Sequence, residues 1–238
     1  AGVGGEEAAL FAARLFDMYG RFAAKRGWRV VLLNESKSER GGCKEAIAEI
    51  HGAGAYEAFR FESGVHRVQR IPETEKSGRV HTSTASVAIL PVAAEPDVSV
   101  RPQDIKIEFF RSSGPGGQNV NKVETAVRIY HLPTGLIVTS QDSRSQQKNR
   151  EIAMTLLRSR LLAAQQEQEA KKTADSRHSQ IGTADRSEKI RTYNFPQDRI
   201  TDHRIKQSWH HIESILMGNM EAIIKTLHEK SGAQDLKL

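Results

Sequence analysis

The sequence contains one cysteine, Cys43, in 238 residues. A single thiol excludes an intrachain disulfide framework and a cysteine-cluster zinc site, and it fits a reducing compartment. Long apolar runs are also missing. Nothing approaches the ~18 consecutive apolar residues of a membrane-spanning helix, and mean hydropathy is -0.53. The opening Ala1–Gly5 is glycine-rich without a basic, apolar start, so a secretory signal is not expected. Charge of neither sign dominates: 35 Lys+Arg against 29 Asp+Glu give a net +6 and a pI near 9.5. That modest excess suits an anionic partner, nucleic acid before a membrane surface.

Apolar spacing marks the elements that are present. Glu6 and Glu7 open a helical run to Lys25, with Leu10, Phe11, Leu15, Phe16, Met18 and Tyr19 at helical intervals and two acids favouring the first-turn dipole. Gly27 ends it, and residues 28–33 read as a strand. Strand-like alternation returns at 80–90, 105–110, 126–130 and 136–140, the last two joined as a hairpin by Pro133-Thr134-Gly135. A helical pattern runs from Gln147 to Lys172. Residues 173–204, rich in Arg, Ser, Thr and Asp, are expected to be unstructured, and Trp209–His228 is expected to be one amphipathic helix. Two compact parts follow: one around 100–172, the other formed by the flanking segments coming together.

Residues 111–122 read Arg-Ser-Ser-Gly-Pro-Gly-Gly-Gln-Asn-Val-Asn-Lys. With nothing apolar beyond Val120, the segment cannot bury itself and must project. Gly114, Gly116 and Gly117 allow a close backbone approach that a Cβ would block, and Pro115 stiffens the turn. No Gly-Lys-Ser/Thr follows, so this is neither a Walker phosphate loop nor a dinucleotide fingerprint. No Ser-His-Asp order or metal-ligand spacing surrounds it, so no cofactor and no metal are expected.

In this context Gly116-Gly117-Gln118 resembles the catalytic loop of class I peptide chain release factors, which hydrolyse peptidyl-tRNA on the ribosome at a stop codon. Gly64-Val-His-Arg-Val-Gln-Arg70, Gly78-Arg-Val-His-Thr-Ser83 and residues 187–197 with Thr201-Asp-His-Arg204 also match, so the resemblance covers essentially the whole chain. Pro72-Glu73-Thr74 is similar to the tripeptide of the release factor 1 type, which reads UAA and UAG; the Ser-Pro-Phe of the other type is absent. Glu73 departs from the small residue more usual at the middle position.

The resemblance implies an α+β multidomain fold: a mixed α/β codon-recognition superdomain, from 1–99 with a C-terminal part at 173–238, and a smaller α+β catalytic domain at 100–172. The family also carries a helical N-terminal domain ahead of the segment that begins here at Ala1. The same resemblance implies the site roles. Gly116, Gly117 and Gln118 would act catalytically, Gln118 through its backbone N–H on the oxyanion and its side chain beside the water. Gly4 and Glu7 would meet the first uridine, while Gln69, Pro72, Glu73, Thr74, His81 and Thr82 would read the remaining bases. Hydroxyl, amide and imidazole groups suit unpaired RNA bases. Arg186, Arg191, Arg199 and Arg204 are candidate RNA-phosphate contacts, and Tyr193 and Phe195 are either stacking faces or core. Implied partners are the ribosome, its RNA, the mRNA stop codon, peptidyl-tRNA, a glutamine methyltransferase acting at N5 of Gln118, and a recycling GTPase release factor. No membrane partner is expected. The chain is expected to be a monomer, in the cytoplasm or else in an organelle such as the mitochondrial matrix. Hydrolysis would require the ribosomal peptidyl transferase centre. A codon-independent ribosome-rescue hydrolase and a non-catalytic RNA-binding module are the alternative readings.

Overall fold

The computed structural model describes residues 1–72, 78–92, 99–112, 123–182 and 185–231. The chain divides into two units, Ala1–Val92 with Thr173–Leu238, and Ala93–Lys172. The first boundary therefore falls at 92/93, ahead of the 99/100 read from the sequence.

The first unit is built around α1 (Gly5–Lys25), whose buried face of Ala8, Phe11, Leu15, Met18 and Phe22 recurs every three or four residues. Gly27, at φ +72°, ends the helix in a left-handed turn. The chain then forms an antiparallel ribbon of β1 (Arg29–Lys37) and β2 (Cys43–His51), the second of which the sequence pattern did not reveal. After the short α2 (Ala55–Phe59) come β3 (Gly64–Arg70) and β4 (His81–Val87). Three more strands complete their sheet: β8 (Lys189–Asn194), β9 (Arg199–Asp202) and β10 (Gln207–His210), numbered after three strands of the second unit. The order is β10-β9-β8-β3-β4, with only β3 and β8 parallel among the neighbours. One face packs on α1 through Val68, Ala85, Tyr193 and Ile200, and Phe11 meets Tyr193 edge-on at 5.4 Å between ring centres.

In the second unit, β5 (Ile105–Phe110), β6 (Ala126–His131) and β7 (Leu136–Ser140) form an antiparallel meander. Its inward residues Val127, Ile129 and Val138 pack on Ala153, Leu157 and Leu161 of α3 (Gln146–Ile181). Gly135, at φ +70°, closes the tight β6–β7 turn.

Two sequence expectations are corrected. Residues 173–204 are not unstructured: α3 continues to Ile181, and β8 and β9 follow. Their buried face carries Arg191 and Asp202, both fully buried, so a charged composition concealed core strands. Trp209–His228 is not one helix either. It divides into β10, α4 (Ile212–Leu216) and α5 (Glu221–Ser231). Gly218 stands between the two helices at φ +87°, where a Cβ would come within 2.8 Å of the Phe22 backbone nitrogen.

Candidate nucleic-acid interface

Strand register assembles most of the expected codon-reading residues at one end of the first unit. Gln69 on β3 lies directly opposite Thr82 on β4, and Arg70 lies opposite His81. Both Gln69 and Thr82 are half-buried, while His81 is exposed. Pro72, two residues past β3, is buried. The start of α1 reaches the same strands. Val3 pairs with Thr84, whose N–H donates to the Val3 carbonyl at 2.9 Å and whose hydroxyl accepts from the Val3 N–H at 2.8 Å. Gly4 then passes so close to β4 that a Cβ would stand 2.3 Å from the Ser83 hydroxyl. Its φ of +135° is a region essentially reserved for glycine.

Glu7 sits one turn further along, buried, and accepts from Arg70 Nε at 2.5 Å. Its Oε2 is also buried and has no hydrogen-bond partner among the described residues. Arg70 in turn lies 5.6 Å from the centre of the Phe195 ring. This ion pair, which sequence spacing could not suggest, fixes the first turn of α1 to the end of β3. Glu6 is held by the Ser38 hydroxyl and the Arg40 N–H, and these bonds lower its carboxyl below the usual range. Glu73 and Thr74 lie outside the described residues.

Gly116, Gly117 and Gln118 also lie outside the described residues, but the base from which that segment departs is defined. Phe110, last in β5, is paired with Ala126, first in β6. Segment 111–125 therefore leaves and re-enters the sheet at adjacent positions. Asn149, fully buried in the first turn of α3, braces the return. Its amide nitrogen donates to the carbonyls of Thr125 and Ser143, each at 2.8 Å. Its oxygen accepts the Ser143 N–H at 2.8 Å and the Ser140 hydroxyl at 3.4 Å. A buried side-chain amide that satisfies all its hydrogen-bonding capacity in this way locks local geometry. Nothing in the sequence distinguished Asn149 from an ordinary polar residue at a helix start.

An RF-1 domain family model matches residues 94–204, and a PCRF domain model matches residues 1–87. "Peptide chain release factor 1" of Desulforudis audaxviator is 53% identical over the whole chain and 67% of its own length. The protein of the same name from Carboxydothermus hydrogenoformans is 55% identical, with 66% of its length covered. The chain belongs to the peptide chain release factor 1 family. It spans about two thirds of the length of these relatives. Among solved structures, RF2 of Thermus thermophilus is similar at a TM-score of 0.57 and 36% identity, over 98% of this chain and 67% of that one. Mixed helices and sheets in more than one unit agree with the α+β multidomain architecture of that family.

The candidate phosphate-binding arginines divide sharply. Arg186 and Arg199 are exposed. Arg191 is fully buried and is not a phosphate contact: its guanidinium donates to both oxygens of Glu62, at 2.6 and 2.8 Å, and to Asp202 at 3.2 Å. Arg204 is committed to the same Asp202, at 2.7 and 3.1 Å. These two cations and two carboxylates balance one another, as buried charges must. Burial alone would raise the Glu62 carboxyl, but the Arg191 charge and hydrogen bonds hold it below its ordinary value. Tyr19 donates to Glu62 at 3.0 Å, and His66 Nε2–H donates to the Glu62 carbonyl at 2.9 Å. Burial, then the charge of Arg191, lowers His66 from 6.5 to about 4, so it is neutral at pH 7. Tyr193, fully buried, belongs to the core, and its hydroxyl is raised to about 12 by burial. Phe195 packs against the same core from its edge.

Proposed function

We propose that this chain recognises UAA and UAG in the ribosomal A site and triggers hydrolysis of the peptidyl-tRNA ester. The observation that carries the codon reading is the cross-strand pair Gln69 and Thr82, which puts an amide opposite a hydroxyl at the strand end where the next residue of β4, Ser83, meets Gly4 at the tip of α1. His81 adds an exposed imidazole at the same end of β4. Such groups can bond Watson–Crick and Hoogsteen edges of unpaired bases. An amide at the third position accommodates adenine or guanine by rotating, which suits UAA and UAG together. The sequence Pro72-Glu73-Thr74 supports the same specificity.

The hydrolytic step rests on Gly116-Gly117-Gln118. Water adds to the ester carbonyl, its proton is taken up within the ribosomal site, and negative charge collects on the carbonyl oxygen. The Gln118 backbone N–H stabilises that oxyanion, and collapse of the intermediate expels the tRNA 3′ oxygen as a hydroxyl. Removing one such donor costs ~2.7–4 kcal/mol of transition-state stabilisation. The ribosome supplies the remaining site and peptidyl-tRNA is the substrate. A glutamine methyltransferase acts on Gln118 N5, a modification readable by mass spectrometry of the 111–128 peptide, and a recycling GTPase acts after release.

Release of formyl-methionine from ribosomes programmed with UAA, UAG or UGA tests the whole reading. Activity is expected at the first two codons only. Gln118→Ala keeps the N–H and retains part of the rate, whereas Gln118→Pro removes it and abolishes release. Equal rates for the two variants would eliminate the backbone mechanism. Release independent of the codon would favour the ribosome-rescue reading.

A further inference from the structure

The codon-reading pair does not stand alone on its sheet. Gln69 is in register with Asn194 on β8, Asn194 with Arg199 on β9, and Arg199 with His210 on β10. With Thr82 these residues form one row across all five strands, on the face opposite α1. Four interstrand steps of about 4.8 Å make the row roughly 19 Å long. In the adjacent row Thr201 and Ser208 share a hydroxyl–hydroxyl bond of 2.9 Å. No carboxylate stands in the first row, which instead carries a guanidinium and an imidazole.

Exposure rises along the row: Gln69, Thr82 and Asn194 are half-buried, and Arg199 and His210 are exposed. Arg199 donates one bond, to Gln197 at 2.7 Å, and keeps further N–H donors in its planar fork. His210 Nδ1–H donates to the Asp198 carbonyl at 3.1 Å, which leaves Nε2 for a ligand. The row offers no aromatic plate beyond that imidazole. Its chemistry therefore suits phosphate and ribose hydroxyl groups, which position a strand without reading its sequence.

We infer that this row is a track for the message on the 3′ side of the stop codon, with Arg199 and His210 contacting its sugar–phosphate backbone irrespective of base identity. The inference rests on the proposed function, since Gln69 and Thr82 must face the third codon base for the row to continue past it. Continuity with that pair favours the message over other strands; the Asp198 carboxylate, which lies beside the Arg199–His210 end of the row, is engaged by the His211 and Ile212 N–H groups.

Stop-codon complexes are assembled on two messages, one ending at the third codon base and one extended by four nucleotides, and the affinity of the full chain is measured on each. The unsubstituted chain is expected to bind the extended message roughly tenfold tighter, as one or two charge-assisted contacts would give. Arg199→Gln and His210→Gln should bring the ratio of the two affinities towards one, and changing the bases of the extension should leave it unaltered. A ratio of one for the unsubstituted chain overturns the inference. Equal weakening of Arg199→Gln on both messages overturns it too, and assigns the row to ribosomal RNA. Binding without a codon preference on either message would instead refute the proposed function, and the inference with it.

Discussion

Gly4 has no room for a side chain. A Cβ there would stand 2.3 Å from the Ser83 hydroxyl, on a backbone at φ +135° that side chains do not tolerate. Gly4→Ala should cost on the order of 1–3 kcal/mol through strain and push the tip of α1 away from β4. Thermal unfolding would read the first effect, and loss of discrimination at the first codon base in the release assay would read the second. His66 makes the opposite kind of statement, about protons. Its folded value near 4 lies below the ordinary 6.5. Between those values the unfolded chain binds the proton and the folded chain does not, so stability is lost as pH falls through that window. The loss is on the order of 3 kcal/mol when complete. Glu62 and Asp202, held below their ordinary values, add to it at still lower pH. Urea midpoints should fall between pH 7 and pH 4.5, and His66→Gln should flatten that decline.

At the scale of the element, α3 is unevenly supported. Asn149, Ala153, Leu157 and Leu161 are buried, but no described residue from Leu162 to Ile181 is. The helix regains tertiary contacts near its end, where Arg177 pairs with Glu45 and Gln180 exchanges two hydrogen bonds with the Ile89 backbone, at 2.9 and 3.0 Å. The stretch between has no fully buried residue and relies largely on helix propensity and local pairs such as Gln165–Glu169 at 3.3 Å. Amide exchange is expected to be on the order of tenfold or more faster in 163–176 than in 149–161, as peptide-resolved mass spectrometry would detect. Uniform protection along α3 would contradict this.

At the scale of the molecule, the described residues form two apolar cores with no residue in common. Leu157 is fully buried in the smaller one, and Leu157→Ala should cost about 2–5 kcal/mol there. Both tryptophans, Trp28 and Trp209, pack against the larger core. Tryptophan fluorescence should therefore melt at an unchanged temperature in this variant, while calorimetry shows one of two transitions moved down. A shift of the fluorescence midpoint equal to the calorimetric one would mean that the cores unfold together.

Periodicity by itself determined α1, the first strand, the three-strand meander and the start of α3, because their apolar residues recur at 3.6 or 2 and fill a face. Glycine and proline set 111–122 apart from the flanking strands in the same local way. What only the tertiary structure decided are the places where burial and polarity disagree. β8 and β9 bury Arg191 and Asp202 against Glu62, so charge that reads as loop is core, and an arginine that looked available to RNA is sealed inside. The final helix divides because Gly218 must pass close to α1, a neighbour almost two hundred residues away in sequence. Gln69 and Thr82 come together only through strand register, and Gly4 and Glu7 are tied to the same two strands only by the close pass at Ser83 and the Arg70 ion pair. Which distant segments pair is set by summed burial over the whole sheet, and no local pattern carries that information.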